Sequence, residues 1–346
     1  MESKRLVWID VLKFVAIFAI IGIHVSSSAL SKEFLFSSIW YQSVFMNSLC
    51  RFGIVLFILA SGYLILRKQQ PLSVIPKRIK RILIPFIFWF IIYAIVKVVV
   101  KGEMGSGWNI IDLITFTLQG FLNPTIVSVQ FWYVYMILGL YILSPILSRW
   151  IQNTSIKEIE YFLGIWIIIS IIQFLNVDTI LIDYFRYFTG AIGYFVLGYY
   201  LSVKEAPILR NRKSGAILFI AGTLITFIGT VVMSFITNDQ SLFFIRLGDI
   251  TPGAFLQAVG LYIIIKNTDF KKLSERFIGI ITKVSKYSYS IYLSNILVIK
   301  LLETAHIIKL GGLASIQIII YMIVVLIISY LISFIMEKIP ILEKFV

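Results

Sequence analysis

The sequence predicts an all-α, polytopic membrane bundle of about ten transmembrane helices, with N-in/C-in topology. Three observations predict it. Of the 346 residues, 59% are hydrophobic and only 14% charged, against about 45–50% and 25% in a soluble domain, and the mean hydropathy is +0.95. Apolar runs long enough for a hydrocarbon layer of about 30 Å recur near 6–28, 41–66, 82–100, 129–147, 158–176, 185–202, 215–235, 249–266, 287–303 and 314–335. With the N-terminus inside, the cytosolic segments hold 22 Lys and Arg, and the outer loops and span ends hold 7. That bias orients the chain. The net charge of +14 then reflects loops beside anionic lipid rather than a nucleic-acid footprint, and no nucleic-acid partner is expected.

The first span carries ionisable residues that a membrane segment normally excludes. It runs Arg5-Leu-Val-Trp-Ile-Asp10-Val-Leu-Lys13, then ten apolar or small residues, then His24. Eleven steps of about 100° put Lys13 and His24 roughly 20° apart and about 16 Å along one stripe, with Asp10 about 40° from His24. Charges inside a span cost several kcal/mol unless partnered, so the aligned trio points to a site. The plainer account has Asp10 and Lys13 snorkelling at the cytosolic edge while His24 packs neutral. The segment also has the layout of a signal peptide, but its interior charges and the later spans favour an uncleaved first helix.

Span two contains Arg51 at a depth that His24 could share, which predicts a polar cavity or carboxylate facing it. Ser61-Gly62 reads as small-residue helix packing. The next loop brings Lys77, Arg78, Lys80 and Arg81 to the start of span three, ahead of Pro85. Arg78 and Arg81 share a helical face and have the spacing to clamp a phosphate or pyrophosphate bidentately. On charge alone, anchoring to lipid headgroups is the simpler account. Residues 101–128 are expected to form an amphipathic interfacial helix or a re-entrant segment. Span nine holds Ser288, Ser290, Tyr292, Ser294 and Asn295, hydroxyls and an amide that either line a passage or bond between helices, with Glu303 and His306 at its outer end. A lone cysteine, Cys50, excludes an internal disulfide, and with two histidines it excludes a thiolate zinc site; no metal is expected. No P-loop, dinucleotide-binding GxGxxG, HxxxxD or GxSxG elbow occurs.

Together these stretches resemble the acyltransferase-3 family of integral membrane O-acyltransferases. The resemblance is carried by Lys13 and His24, with Lys where the family generally has Arg, and by Asp10 ahead of them. It is also carried by Arg78-Ile-Lys-Arg81, by SGY at 61–63, FWYVYMILGLYILSP at 131–145 and GYFVLGYYL at 193–201, and by SYSIYLSN at 288–295, where Asn295 replaces a family His. It implies one membrane domain over 1–346 without a fused extracellular SGNH domain. It also implies no resident cofactor, acetyl-CoA or another acyl-CoA as co-substrate, a cell-surface or lipid-linked glycan as acceptor, and membrane lipids as surroundings. On that reading His24 is a general base or acyl carrier, and Lys13 and Asp10 hold the cytosolic end of its path. Arg78, Arg81 and Lys77 bind the nucleotide end of acyl-CoA, while Arg51, Tyr292 and Asn295 stabilise the intermediate or grip the acceptor. A transporter moving a glycan or small anion through the same interior, and a non-catalytic anchoring partner, are the alternatives from other classes.

Overall fold

Inside a hydrocarbon layer every backbone N–H and C=O needs an internal partner, which leaves a chain of this composition little choice but helices. The computed structural model describes residues 6–100, 109–174, 190–239 and 251–346, and all regular structure among them is helical. The main elements are α1 (Val7–Leu30), α2 (Ser38–Cys50), α3 (Gly53–Leu66), α4 (Ile75–Ile95), α5 (Ile110–Leu122), α6 (Trp132–Asn153) and α7 (Ile156–Phe174). They continue with α8 (Ala191–Val203), α9 (Arg212–Thr237), α10 (Pro252–Lys266), α11 (Glu275–Lys286), α12 (Ser288–Thr304) and α13 (Ala314–Lys338).

Six described segments are long and apolar enough to cross a membrane: Val7–Leu30, Ser38–Leu66, Leu72–Val98, Val129–Asn153, Arg212–Thr237 and Ala314–Lys338. Helices α8 and α10 are apolar but shorter. The predicted spans at 158–176, 185–202 and 249–266 extend partly outside the described residues.

Helix α1 sits at the centre. It packs against α2, α3, α10, α11, α12 and α13, and 72% of its apolar window is buried, against 22% for α9. The charged helix singled out in the sequence is therefore among the most enclosed, and that is where polar groups find partners. The predicted second span is two helices rather than one, because the chain turns at Arg51–Phe52. The turn leaves Gly53 against α1, where a Cβ would stand 2.8 Å from Ile20 and 3.0 Å from the Ala16 carbonyl oxygen. Small-residue packing, read from Ser61-Gly62, holds at the α3–α8 contact. A Cβ on Gly62 would lie 1.9 Å from the Phe195 carbonyl oxygen, and one on Gly198 2.0 Å from that of Leu59.

Within 101–128, α5 is an amphipathic helix opened by a capping box between Asn109 and Asp112. Phe121 stacks on Phe90 of α4 with ring centroids 4.4 Å apart, while Ile111 and Leu118 stay exposed on its other side. Residues 101–108 lie outside the described residues. Helix α11 is also amphipathic and packs its apolar face on α1.

Candidate active site

His24 belongs to the last two turns of α1, and the break between α2 and α3 carries Arg51 to the same level. Both line one cavity of about 420 Å³, together with Gln130, Tyr292 and Lys300. Asn47 of α2 fixes the wall beneath them, its side-chain nitrogen lying 3.2 Å from the Ile23 carbonyl and 2.9 Å from the hydroxyls of Ser26 and Ser27. The last turns of α1 are therefore tied to α2 by an amide rather than by apolar contact alone.

Asn295 decides what His24 can do. Its Oδ1 stands 2.6 Å from His24 Nδ1. The orientation of that amide follows from its other bonds, since its nitrogen donates to the carbonyls of Ile291 at 3.2 Å and Tyr292 at 2.6 Å. An oxygen facing Nδ1 makes Nδ1 the protonated nitrogen. Nε2 is then the atom with a free lone pair. That is the arrangement a general base requires, with a third group fixing tautomer and ring.

Tyr93 of α4 supports the turn that carries Asn295. Its hydroxyl donates to the Leu293 carbonyl at 3.0 Å and accepts from the Leu297 N–H at 2.7 Å. Those two groups join each other in an uninterrupted helix, so the hydroxyl is inserted into the backbone ladder of α12. Tyr292 donates to the Gln130 carbonyl and packs on Tyr133 with ring centroids 5.0 Å apart. At the rim of the cavity, Glu303 accepts from Ser28 and pairs with Lys32 at 2.8 Å.

The remaining sequence candidates lie elsewhere. Asp10 and Lys13 share the stripe of α1 with His24 but do not line its cavity. Asp10 is buried and accepts from Ser285 of α11 at 2.6 Å, and Lys13 is half-buried. Arg78 donates to Ser144 at 3.1 Å and Gln70 at 2.6 Å, with its guanidinium 5.9 Å from the centre of the Tyr141 ring. Lys77 and Arg81 are exposed on the same helix. Fifteen residues of α4 separate Arg78 from Tyr93, about 22 Å of helix, so these cations stand far from the cavity along that helix.

A family model, described as an acyltransferase domain, matches residues 6–336. The chain belongs to this acyltransferase-3 family. It is a membrane acyltransferase, and several apolar helices make it multi-pass. No curated protein and no solved structure gives a match.

Within this acyltransferase the sequence motifs sort by place. His24, Arg51, Tyr292 and Asn295 converge, and Arg78 and Arg81 sit at the far end of α4. Gln130, Asn47 and Tyr93 carried no motif and were missed. A polar residue in an apolar stretch was the available signal for Asn47. Gln130 opens the 129–147 run, where a polar residue reads as a span boundary.

Proposed function

We propose that this acyltransferase moves an acyl group, acetyl in the simplest case, from cytosolic acyl-CoA to a hydroxyl of a cell-surface or lipid-linked glycan. The observation that carries the reading is the His24–Asn295 pair facing Arg51 in one cavity. A base with its tautomer set, beside a fixed cation, suits attack of a hydroxyl on a thioester. His24 Nε2 takes the hydroxyl proton, and the Arg51 guanidinium offsets the charge that grows on the former carbonyl oxygen.

The donor end has support of its own. Arg78 is held beside Tyr141, Tyr289 donates to the Ile82 carbonyl of α4 at 3.0 Å, and Tyr133 packs on Tyr292 at the cavity. An extended pantetheine arm would run past these tyrosines from the basic start of α4 toward His24. Arg78, Arg81 and Lys77 would then grip the phosphates. Asp10 and Lys13 would brace α1 against α11 at the donor end. The 22-to-7 basic bias supports both termini and the donor entrance on the cytosolic side, and the ten apolar runs support ten crossings.

The test is transfer by purified protein in liposomes with acetyl-CoA supplied on one side and a glycan acceptor on the other. The expected result is acetyl ester on the glycan and free coenzyme A. Movement of glycan or anion with the thioester intact would instead establish a transporter.

A further inference from the structure

The cavity holds one polar group whose placement the His24–Asn295 pair leaves unexplained. Gln130 is 1% exposed and lines the cavity between Arg51 and Tyr292. Its Oε1 is filled by the Ser128 hydroxyl, and its backbone carbonyl by Tyr292. Its Nε2 carries two protons; at most one can be spent on the Tyr93 hydroxyl, and the other meets no acceptor.

The amide is not simply turned the wrong way. Its side chain neighbours the Tyr93 hydroxyl, whose single proton is committed to Leu293. Only a donor can face that oxygen, so nitrogen belongs on that side and oxygen on the Ser128 side. A buried donor left without an acceptor is costly and calls for an explanation. The residues around it, a base and two cations, are those of a site that handles an anionic oxygen.

We infer that Gln130 donates from Nε2 to the carbonyl oxygen of the acyl thioester, and to the oxyanion that it becomes. This rests on the acyl-CoA reading above. The acceptor hydroxyl oxygen bonds to the carbonyl carbon while His24 Nε2 takes its proton. The carbonyl π pair moves onto oxygen, where the Gln130 N–H receives it. The pair returns as the carbon–sulfur bond breaks, and the thiolate leaves with the proton from His24. Arg51 supplies charge at this oxygen and Gln130 supplies direction, which a guanidinium in a wide cavity does not fix alone.

The test uses Gln130→Met, which keeps the side-chain volume and removes the donor. Removing one such donor lowers kcat by about 10²–10³, while the melting temperature in detergent should stay close to wild type, because losing the unsatisfied amide nitrogen offsets the loss of the Ser128 hydroxyl's acceptor. A measurement on the wild-type protein is independent of how the variant folds. An acyl-CoA ketone analogue, which keeps the carbonyl, should bind about tenfold tighter than the thioether analogue, which lacks it, and Gln130→Met should erase the preference. If the wild type turns over acetyl-CoA and binds both analogues equally, the inference about Gln130 fails and the donor reading stands. If Gln130→Met melts early and loses activity only in proportion to folded protein, Gln130 is structural and the inference also fails. If the wild type neither binds the analogues nor consumes acetyl-CoA, the donor reading falls and takes this inference with it.

Discussion

Asn295 Oδ1 lies 2.6 Å from His24 Nδ1, although 271 residues separate the two in sequence. The sequence resemblance implies a histidine where Asn295 stands, and an amide there does a different job from a second base. An imidazole can change tautomer. Asn295, with its nitrogen bound to two backbone carbonyls, can offer His24 only an oxygen.

Asn295→Ala should therefore cost less than loss of the base and more than a surface change. Losing one buried hydrogen bond, about 1–3 kcal/mol, lowers kcat by about 5- to 150-fold. His24→Ala should lose about 10²–10⁴ and keep its fold. Steady-state acetyl transfer by the two variants checks both: wild-type activity of His24→Ala would reduce His24 to a packing residue, and wild-type activity of Asn295→Ala would remove Asn295 from the positioning of the ring.

The two arginines of α4 should separate. Arg81 is exposed, so Arg81→Ala should weaken acyl-CoA binding without changing the melting temperature. Arg81→Lys should recover part of it by keeping charge without the planar fork. Arg78 is built into the protein by Gln70 and Ser144, so Arg78→Ala should weaken binding and lower the melting temperature together. Calorimetry with acetyl-CoA in detergent measures the first effect and differential scanning the second. Unchanged donor affinity in the double variant would return both residues to headgroup anchoring.

The α3–α8 contact should not accept a methyl group. Gly62→Ala places a Cβ 1.9 Å from the Phe195 carbonyl oxygen, and overpacking of this kind costs about 1–3 kcal/mol or more. Gly139→Ala on α6 meets open space and should melt like wild type. Thermal unfolding of the two proteins side by side makes the comparison, and equal midpoints would contradict the tight helix contact.

Orientation can be read by labelling single cysteines on intact cells after replacing the buried Cys50 with serine. Phe34→Cys and Asn238→Cys should react with an impermeant maleimide. Gln69→Cys and Asn211→Cys should stay protected until the membrane is opened. Labelling of the second pair from outside would invert the topology.

Much of this protein was legible as a string, because hydropathy and helical period are local properties. Apolar runs in a hydrocarbon layer become helices whatever their neighbours, so most described elements lie where the runs are. His24 and Arg51 stood out because charge and imidazole are rare in such runs, and the order of motifs from Lys13 to Asn295 carried the family. Local pattern also fixed the common stripe of Asp10, Lys13 and His24. What covers each turn of that stripe depends on distant helices. Helix α11 meets Asp10 through Ser285, whereas α12 meets His24 through Asn295. The break at Arg51 likewise has no period to announce it. Arg51 stands at that break and lines the cavity. Gln130 and Tyr93 matter only through atoms contributed by other helices. Tertiary packing alone decided which polar groups are satisfied and which, Gln130 among them, keep a proton to give.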